Sequence, residues 1–442
     1  MMVRIFTSSE ARSTLLHRRR GAASYPKSLL ASLEASFGEG STPETVVRMI
    51  LASVRAEGDD ALRRWTKELD NVAIDEFQVP IEVLRAAERG LSDDLRRALK
   101  FAIDRVRDFH QRQPVPSWSA ETEDGEMGQR HSPVDSVGVY VPGGSAPLIS
   151  SLYMSVIPAQ VAGVEKIIVC SPPPIDQSVL AVASMLGVEE IYSIGGAQAV
   201  GAMAYGTQTV PAVDMVVGAG NIFVTLAKKE VFGRVGIDGL AGPTETMILA
   251  DEGANADWIA ADMLAQAEHD PLASAILITD SQVLASRVQQ AVVDQIQALS
   301  RREIVEQSLK EKGGIVIVND LFQALEMANE YAPEHLCIVA ANDDELFSRV
   351  RNAGCVFIGE NSFEVLGDYV AGPSHVLPTG GSARFAAPLN VLSFLNMTSY
   401  LRVQRQASAQ LSAFASEIAR NEKLDAHAQA AKLRVQEIND AS

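Results

Sequence analysis

Val137-Gly-Val-Tyr-Val141, Lys166-Ile-Ile-Val-Cys170, Glu190-Ile-Tyr-Ser-Ile194 and Met215-Val-Val217 are the short apolar runs that decide the fold. Each is followed by glycine or proline and then by a helical segment, the alternation of βαβ units and a largely parallel sheet. A second set follows: Glu245-Thr-Met-Ile-Leu-Ala250, Ser274-Ala-Ile-Leu-Ile-Thr279, Gly314-Ile-Val-Ile-Val318, His335-Leu-Cys-Ile-Val339 and Cys355-Val-Phe-Ile358. The expected fold is α/β, with two tandem, incomplete Rossmann-like parallel-sheet domains. Upstream, from about Leu29 to Arg112, the pattern is helical, with Thr42-Pro43-Glu44-Thr45 opening a helix that Val47, Ile50, Leu51 and Val54 continue. Downstream, Ser408 to Ser442 is again helical, and Leu411, Phe414 and Ile418 give it a face that needs a partner surface, in the chain or on a neighbouring subunit. The boundaries read as a helical N-terminal region 1–130, a first α/β domain 131–244, a second 245–385 and a helical C-terminal dimerisation tail 386–442.

Composition agrees with a large core. The 442 residues are 47% hydrophobic and 21% charged, which excludes wholesale disorder and a small scaffold. The net charge of −18 opposes non-specific binding to nucleic acid or anionic lipid. Cys170, Cys337 and Cys355 are far apart, so neither a disulfide framework nor a thiolate zinc cluster is expected. The N-terminus lacks the layout of a secretory signal, and a cytoplasmic protein is expected. Ser136 to Val164 carries no charge, but Pro142, Gly143, Gly144, Pro147 and Pro158 interrupt it, so it reads as buried interior rather than a membrane span.

Four of the seven histidines stand in unusual contexts. His269 closes Asp257-Trp-Ile-Ala-Ala-Asp-Met-Leu-Ala-Gln-Ala-Glu-His269, where Asp257 is a candidate helix cap and Pro271 a stop. Gln266 and His269, three apart, would share a face; they read either as metal donors or as a helix end with a histidine bonded to backbone. Glu334 and His335 follow Pro333 and offer two proton acceptors near neutral pH, or else a turn with one solvent-facing charge. Asp368 and His375 lie in the turn-rich Gly367 to Gly381 segment, a binding loop or an ordinary turn. Glu422 and His427 are five residues apart, about 140° on one helix, so they face one site only if the helix breaks between them; otherwise they belong to a solvated face.

Together these motifs resemble the histidinol dehydrogenase family, from about Val137 to Arg434. The landmarks are Val139-Tyr-Val-Pro-Gly-Gly-Ser-Ala-Pro147, Gly195-Gly-Ala-Gln-Ala199, Gly218-Ala-Gly-Asn221, Gly236-Ile-Asp238, Ala241-Gly-Pro-Thr-Glu245, Ala265-Gln-Ala-Glu-His269, Ala332-Pro-Glu-His-Leu336 and the Gly367 to Thr379 loop. The resemblance implies a zinc- and NAD-dependent oxidation of L-histidinol to L-histidine through an enzyme-held aldehyde, the last step of histidine biosynthesis. It implies zinc held by Gln266, His269, Asp368 and His427, with His427 supplied by the tail of the other subunit in a domain-swapped homodimer. His335 is implied as base for the alcohol, Glu334 as the group that activates water, and Thr244, His375 and Glu422 as further substrate contacts beside the zinc donors. Tyr140, Gln198 and Asn221 are implied to contact NAD, without a G-x-G-x-x-G turn.

Some positions depart from the family pattern. Ala219 stands where proline is common, Thr244 where serine is frequent, and Glu360-Asn-Ser-Phe-Glu364 lacks the usual Thr-Pro. Lys423 replaces a glycine that would ease a tight break after Glu422. Two rivals share these motifs: a paralogue oxidising another alcohol, such as a sulfonated diol, which the negative charge of Glu422 disfavours, and a non-catalytic metal- or nucleotide-binding protein.

Overall fold

The computed structural model describes residues 3–18, 25–143 and 148–440. Gly144 to Pro147, the end of the first glycine-proline landmark, lie outside the described residues. In chain order the strands are β1 (Ile5–Thr7), β2 (Trp118–Thr122), β3 (Gly125–Pro133), β4 (Ser136–Tyr140), β5 (Lys166–Ser171), β6 (Glu190–Ser193) and β7 (Met215–Val217). They continue as β8 (Gly236–Ile237), β9 (Glu245–Ala250), β10 (Ser274–Thr279), β11 (Gly314–Ile317), β12 (His335–Val339), β13 (Cys355–Ile358) and β14 (Leu395–Val403). The apolar runs of the sequence coincide with β4–β7 and β9–β13 to within a residue at each end.

These strands build two parallel sheets, ordered β6-β5-β4-β7-β8 and β1-β11-β10-β9-β12-β13. Apart from β1, the order within both is the third, second, first, fourth and fifth strand of the set, the arrangement of doubly wound folds. All six residues of β9 and all six of β10 are buried, as expected where helices cover both faces of a parallel sheet. The uncharged stretch after β4 becomes the helix Ile149–Ala162, buried from Ser150 to Ala159. Among the described residues no helix is long and apolar enough to cross a membrane.

Both parallel sheets belong to one compact unit, Met1–Arg112 with Asp135–Phe394; the second unit is Gln113–Val134 with Leu395–Ser442. In the first, Thr42 caps the helix Pro43–Glu57 with proline at its first turn. Its Val47, Ile50, Leu51 and Val54 are buried, each worth roughly 2 kcal/mol of hydrophobic stabilisation. Gly201 lets the helix Gly196–Tyr205 approach that face, since a Cβ there would lie 3.1 Å from Leu51 and 3.3 Å from Val54. All three cysteines are free.

Two regions differ from the sequence reading. The N-terminal region is not purely helical: β1 pairs parallel with β11, Ile5 opposite Ile315, and extends the second sheet. The tail is not purely helical either, because β14 pairs antiparallel with β3, and β3 with β2, ahead of the helices Arg405–Asn421 and Asp425–Asp440. Every residue of β2 is exposed and so is nearly all of β14, so neither shows the apolar alternation by which a strand is recognised.

Candidate active site

The amino edge of the second sheet gathers the paired acid and imidazole. The helix Leu321–Tyr331 ends on Ala332 in a left-handed conformation, φ 53°, and the chain turns through Pro333 into β12. Glu334 and His335 are 6% and 4% exposed, so the alternative of a turn with a solvent-facing charge is replaced by two buried groups. Glu334 Oε2 accepts from the Thr244 hydroxyl at 2.5 Å and from the Glu245 amide at 2.9 Å. Burial pushes its carboxyl up to about 7, against the opposing pull of His335 and these hydrogen bonds. His335 Nδ1 lies 3.2 Å from the Glu245 carbonyl, which can only accept. That contact puts the ring proton on Nδ1 and leaves the lone pair on Nε2, 4.0 Å from Asp368 Oδ1.

The remaining groups come from two helix ends. The helix Ala256–Ala267 follows β9, runs back along the sheet and delivers Gln266 at its last turn. Asn255, not Asp257, is its cap, accepting from the amides of Asp257 and Trp258; Asp257 sits in the first turn. The helix closes at Ala267, so Gln266 and His269 do not share a helical face: Gln266 is fully buried and His269, beyond the cap, is exposed. The Gln266 amide is best satisfied with its nitrogen toward Glu364 and its oxygen toward the backbone amides of Glu245 at 2.7 Å and Thr246 at 3.3 Å. Asp368 lies on the helix Glu364–Tyr369, and its backbone carbonyl meets His375 Nδ1 at 3.0 Å. Burial lowers the basicity of His375 against the pull of Asp368, while His335 and His269 press the same way as burial, so the three lie within electrostatic reach of one ring.

Glu364 was missed by the sequence reading. It is buried, its Oε2 has no hydrogen-bond partner among the described residues, and that oxygen lies 3.8 Å from His335 Nδ1. Burial raises its carboxyl well above the usual range, with Asp368 adding to the shift. No spacing in the sequence ties residue 364 to residue 335; only the pairing of β12 with β13 does.

A second cluster occupies the carboxyl edge of the first sheet, where the strand order reverses between β4 and β7. Tyr140 ends β4, and its hydroxyl accepts from the Gly196 amide at 3.1 Å. Gln198 is fully buried, and among the described residues neither polar atom of its amide finds a partner. Asn221 caps the helix Ile222–Val231, accepting from Phe223 at 3.0 Å and Val224 at 3.2 Å. The turn before it is pinned: Gly218 donates to Asp238 Oδ2 at 2.7 Å, Lys228 donates to the Gly218 carbonyl at 2.8 Å, and Lys228 pairs with Asp238 in the interior. Gly218 has φ 111°, and a Cβ there would come within 2.2 Å of the Tyr140 carbonyl oxygen.

Glu422 and His427 belong to the second unit, separate from the unit that holds the other candidates. The helix does break between them, the condition for both to face one site: Arg405–Asn421 ends, Lys423 takes φ 60°, and a new helix starts at Asp425. Lysine thus adopts the left-handed conformation its glycine counterpart would take more easily, and both flanking candidates are exposed.

Among the described residues no three His, Cys, Asp or Glu side chains lie close enough together to hold a metal unaided. The donors implied for zinc are different: one amide, one carboxylate and two imidazoles. Among the described residues neither the Asp368 carboxylate nor the His269 ring accepts or donates a hydrogen bond, so both keep free lone pairs, whereas Gln266 must turn its oxygen from Glu245 to join them. Oxygen and nitrogen donors of this kind fit a zinc that also takes substrate ligands.

The chain matches known proteins in both sequence and fold. The family model for histidinol dehydrogenase matches residues 37–435. The chain is 44% identical over 439 residues to the histidinol dehydrogenase of Deinococcus radiodurans, covering 98% of this chain and 100% of that one. It is 48% identical over 395 residues to that of Moorella thermoacetica, covering 88% and 93%. The crystal structure of histidinol dehydrogenase from Elizabethkingia anophelis superposes with a TM-score of 0.90 over 99% of each chain at 31% identity. Near-complete coverage at these identities, on a fold that buries Glu334 and His335 side by side, means that the chain belongs to the histidinol dehydrogenase family.

Proposed function

We propose that this oxidoreductase converts L-histidinol to L-histidine with two molecules of NAD and one zinc ion per site, in the cytoplasm. The observation that carries the reading is the Glu245 backbone, whose amide donates to Glu334 and whose carbonyl meets His335 Nδ1, leaving His335 Nε2 free as a base. In the first oxidation Nε2 removes the hydroxyl proton of histidinol as hydride passes from its carbon to NAD, giving the aldehyde and NADH. Glu334, in its carboxylate form, then takes a proton from water as the oxygen adds to the aldehyde. A second hydride leaves the hydrated carbon for another NAD, and loss of the remaining proton gives the carboxylate. Glu334 titrating near 7 can both accept and return a proton at neutral pH.

Gln266, His269 and Asp368 would hold the zinc together with the partner subunit's His427. Bound there, zinc supplies Lewis-acid orientation of the substrate's imidazole and amine. Thr244, His375 and Glu422 hold the substrate, with the carboxylate of Glu422 facing its amine. Tyr140, Gln198 and Asn221 hold NAD; the Gln198 amide, which has no partner among the described residues, supports this assignment. A swapped homodimer is supported by the exposed Leu411, Phe414 and Ile418 on the helix that leads to Glu422.

The test is a histidinol assay with a chelator control. Two NADH per histidinol are expected, with activity lost on chelation and restored by zinc. Glu334→Gln should slow the second oxidation more than the first; equal rates for both would remove Glu334 from its role. Mixing inactive His335→Asn and His427→Asn chains should restore activity in hybrid dimers, and no restoration would place both residues in one subunit's site.

A further inference from the structure

The paired bases rest on a cation from the N-terminal segment. Arg18 lies 227 residues from Glu245, yet its two terminal nitrogens donate to the two Glu245 carboxylate oxygens at 2.6 and 2.7 Å. Its Nε donates to the Tyr331 carbonyl at 2.7 Å, and its guanidinium carbon lies 3.7 Å from the centre of the Tyr331 ring. Such a bidentate fork fixes direction as well as distance. The Arg18 side chain is 21% exposed and that of Glu245 9%, so this is not a solvent-screened surface pair.

What Arg18 grips is the frame of the site. Glu245 is the first residue of β9, and its backbone touches both bases: the amide donates to Glu334 and the carbonyl faces His335 Nδ1. Tyr331 is the last residue of the helix from which Ala332 and Pro333 lead into Glu334 and His335. Its hydroxyl lies 3.1 Å from the Ser274 hydroxyl at the start of β10. One guanidinium therefore joins the segment that orients the bases to the segment that carries them. Arg18 also lies outside the span 37–435 matched by the family model.

We infer that Arg18 is a positioning residue for the reaction, locking the Glu245 side chain and the Tyr331 carbonyl so that the Glu245 backbone holds Glu334 and His335 in register. The inference rests on the reading of those two residues as the bases. It concerns orientation, so its signature is a loss of turnover without a loss of binding, and it strikes both oxidations together, unlike substitution of Glu334 alone.

The experiment uses the full zinc-loaded enzyme and measures kcat, the KM values for histidinol and NAD, NADH formed per histidinol, zinc per subunit and Tm for wild type, Arg18→Met, Arg18→Lys and His335→Asn. Rates are expressed per zinc-loaded folded subunit. Arg18→Met should lower kcat by about 10²-fold, the effect of misplacing a catalytic group by about 1 Å, with both KM values and the zinc content unchanged. Arg18→Lys keeps the charge but not the fork and should recover part of that loss. The inference is overturned if Arg18→Met, or Arg18→Lys should the methionine variant not fold, turns over like wild type per folded subunit, or if the loss follows the folded fraction alone. Wild-type turnover by His335→Asn would instead sink the reading of the bases, which separates the two failures.

Discussion

The two parallel sheets share one strand order but present their candidate groups at opposite edges. The first sheet does so at the carboxyl ends, where the strand order reverses between β4 and β7, Tyr140 ends β4 and Asn221 follows β7, the usual place for a ligand in an open α/β sheet. The second uses the amino ends, where β9 starts at Glu245 and β12 at His335 and where the helix after β9 returns with Gln266. The carboxyl edge is bounded by backbone amides, a buried neutral amide and an internally paired lysine and aspartate, an environment for holding a ligand. The amino edge concentrates Glu334, Glu364, Asp368 and two histidines, an environment for moving protons. Shared topology therefore does not carry shared chemistry; the side chains at each edge assign it.

The sharpest test of this division removes the free imidazole nitrogen. His335→Asn should lower kcat by about 10³-fold, within the range of general-base contributions, while the KM for NAD stays near wild type. A comparable rise in that KM would merge the two edges into one function. The converse test is Gly218→Ala. Its φ of 111° disfavours a side chain and the new Cβ would collide with the Tyr140 carbonyl, so the turn must shift. We expect kcat/KM for NAD to fall by about 10²-fold and the protein to lose roughly 2 kcal/mol of stability, read by denaturant titration, with histidinol binding unaffected.

A milder probe of the same edge is Asn221→Ser. Serine keeps an oxygen for the Phe223 and Val224 amides, so the helix cap and the Tm should survive, while the shorter side chain removes the amide proposed to meet NAD. The KM for NAD should rise about tenfold, equivalent to 1.4 kcal/mol. An unchanged KM would reduce Asn221 to a cap.

How far the sequence reveals these edges follows from physics. β4–β7 and β9–β13 are legible because parallel strands buried on both faces are continuous apolar runs closed by turn residues. The break between Glu422 and His427 is legible only conditionally, since the helical period demands it only if both face one site, and Lys423 at φ 60° supplies it where the sequence has no glycine. The strands β1, β2, β3 and β14 escape because β1 pairs only with the distant β11, β2 and β3 form a hairpin without a buried apolar face, and the exposed β14 is held by pairing with the distant β3. Arg18 and Glu364 escape for the same reason. Their partners Glu245 and His335 are brought to them by tertiary structure, and a charge without a local period carries no sign of its destination.

The smallest expected effect concerns the cost of holding a carboxylate at the amino edge. Glu334 titrates near 7 in the fold, well above the ordinary glutamate range, because burial disfavours its charge. Between the unfolded value and 7 the folded chain holds a proton that the unfolded chain has released, so this group's contribution to stability declines as pH rises through that window and levels off above it. Glutamine is neutral throughout and keeps an oxygen for the Thr244 hydroxyl and the Glu245 amide. Glu334→Gln should therefore melt at nearly the wild-type temperature at pH 4 and a few degrees higher at pH 8, measured by calorimetry on the metal-free protein. The Lys228–Asp238 pair gives the contrast at the other edge. Replacing Asp238 with asparagine strands a buried ammonium, so Asp238→Asn should lower the Tm at pH 8 where Glu334→Gln raises it. Opposite signs would show that one edge is built on compensated charge and the other holds its charge at a cost; equal signs would erase the distinction.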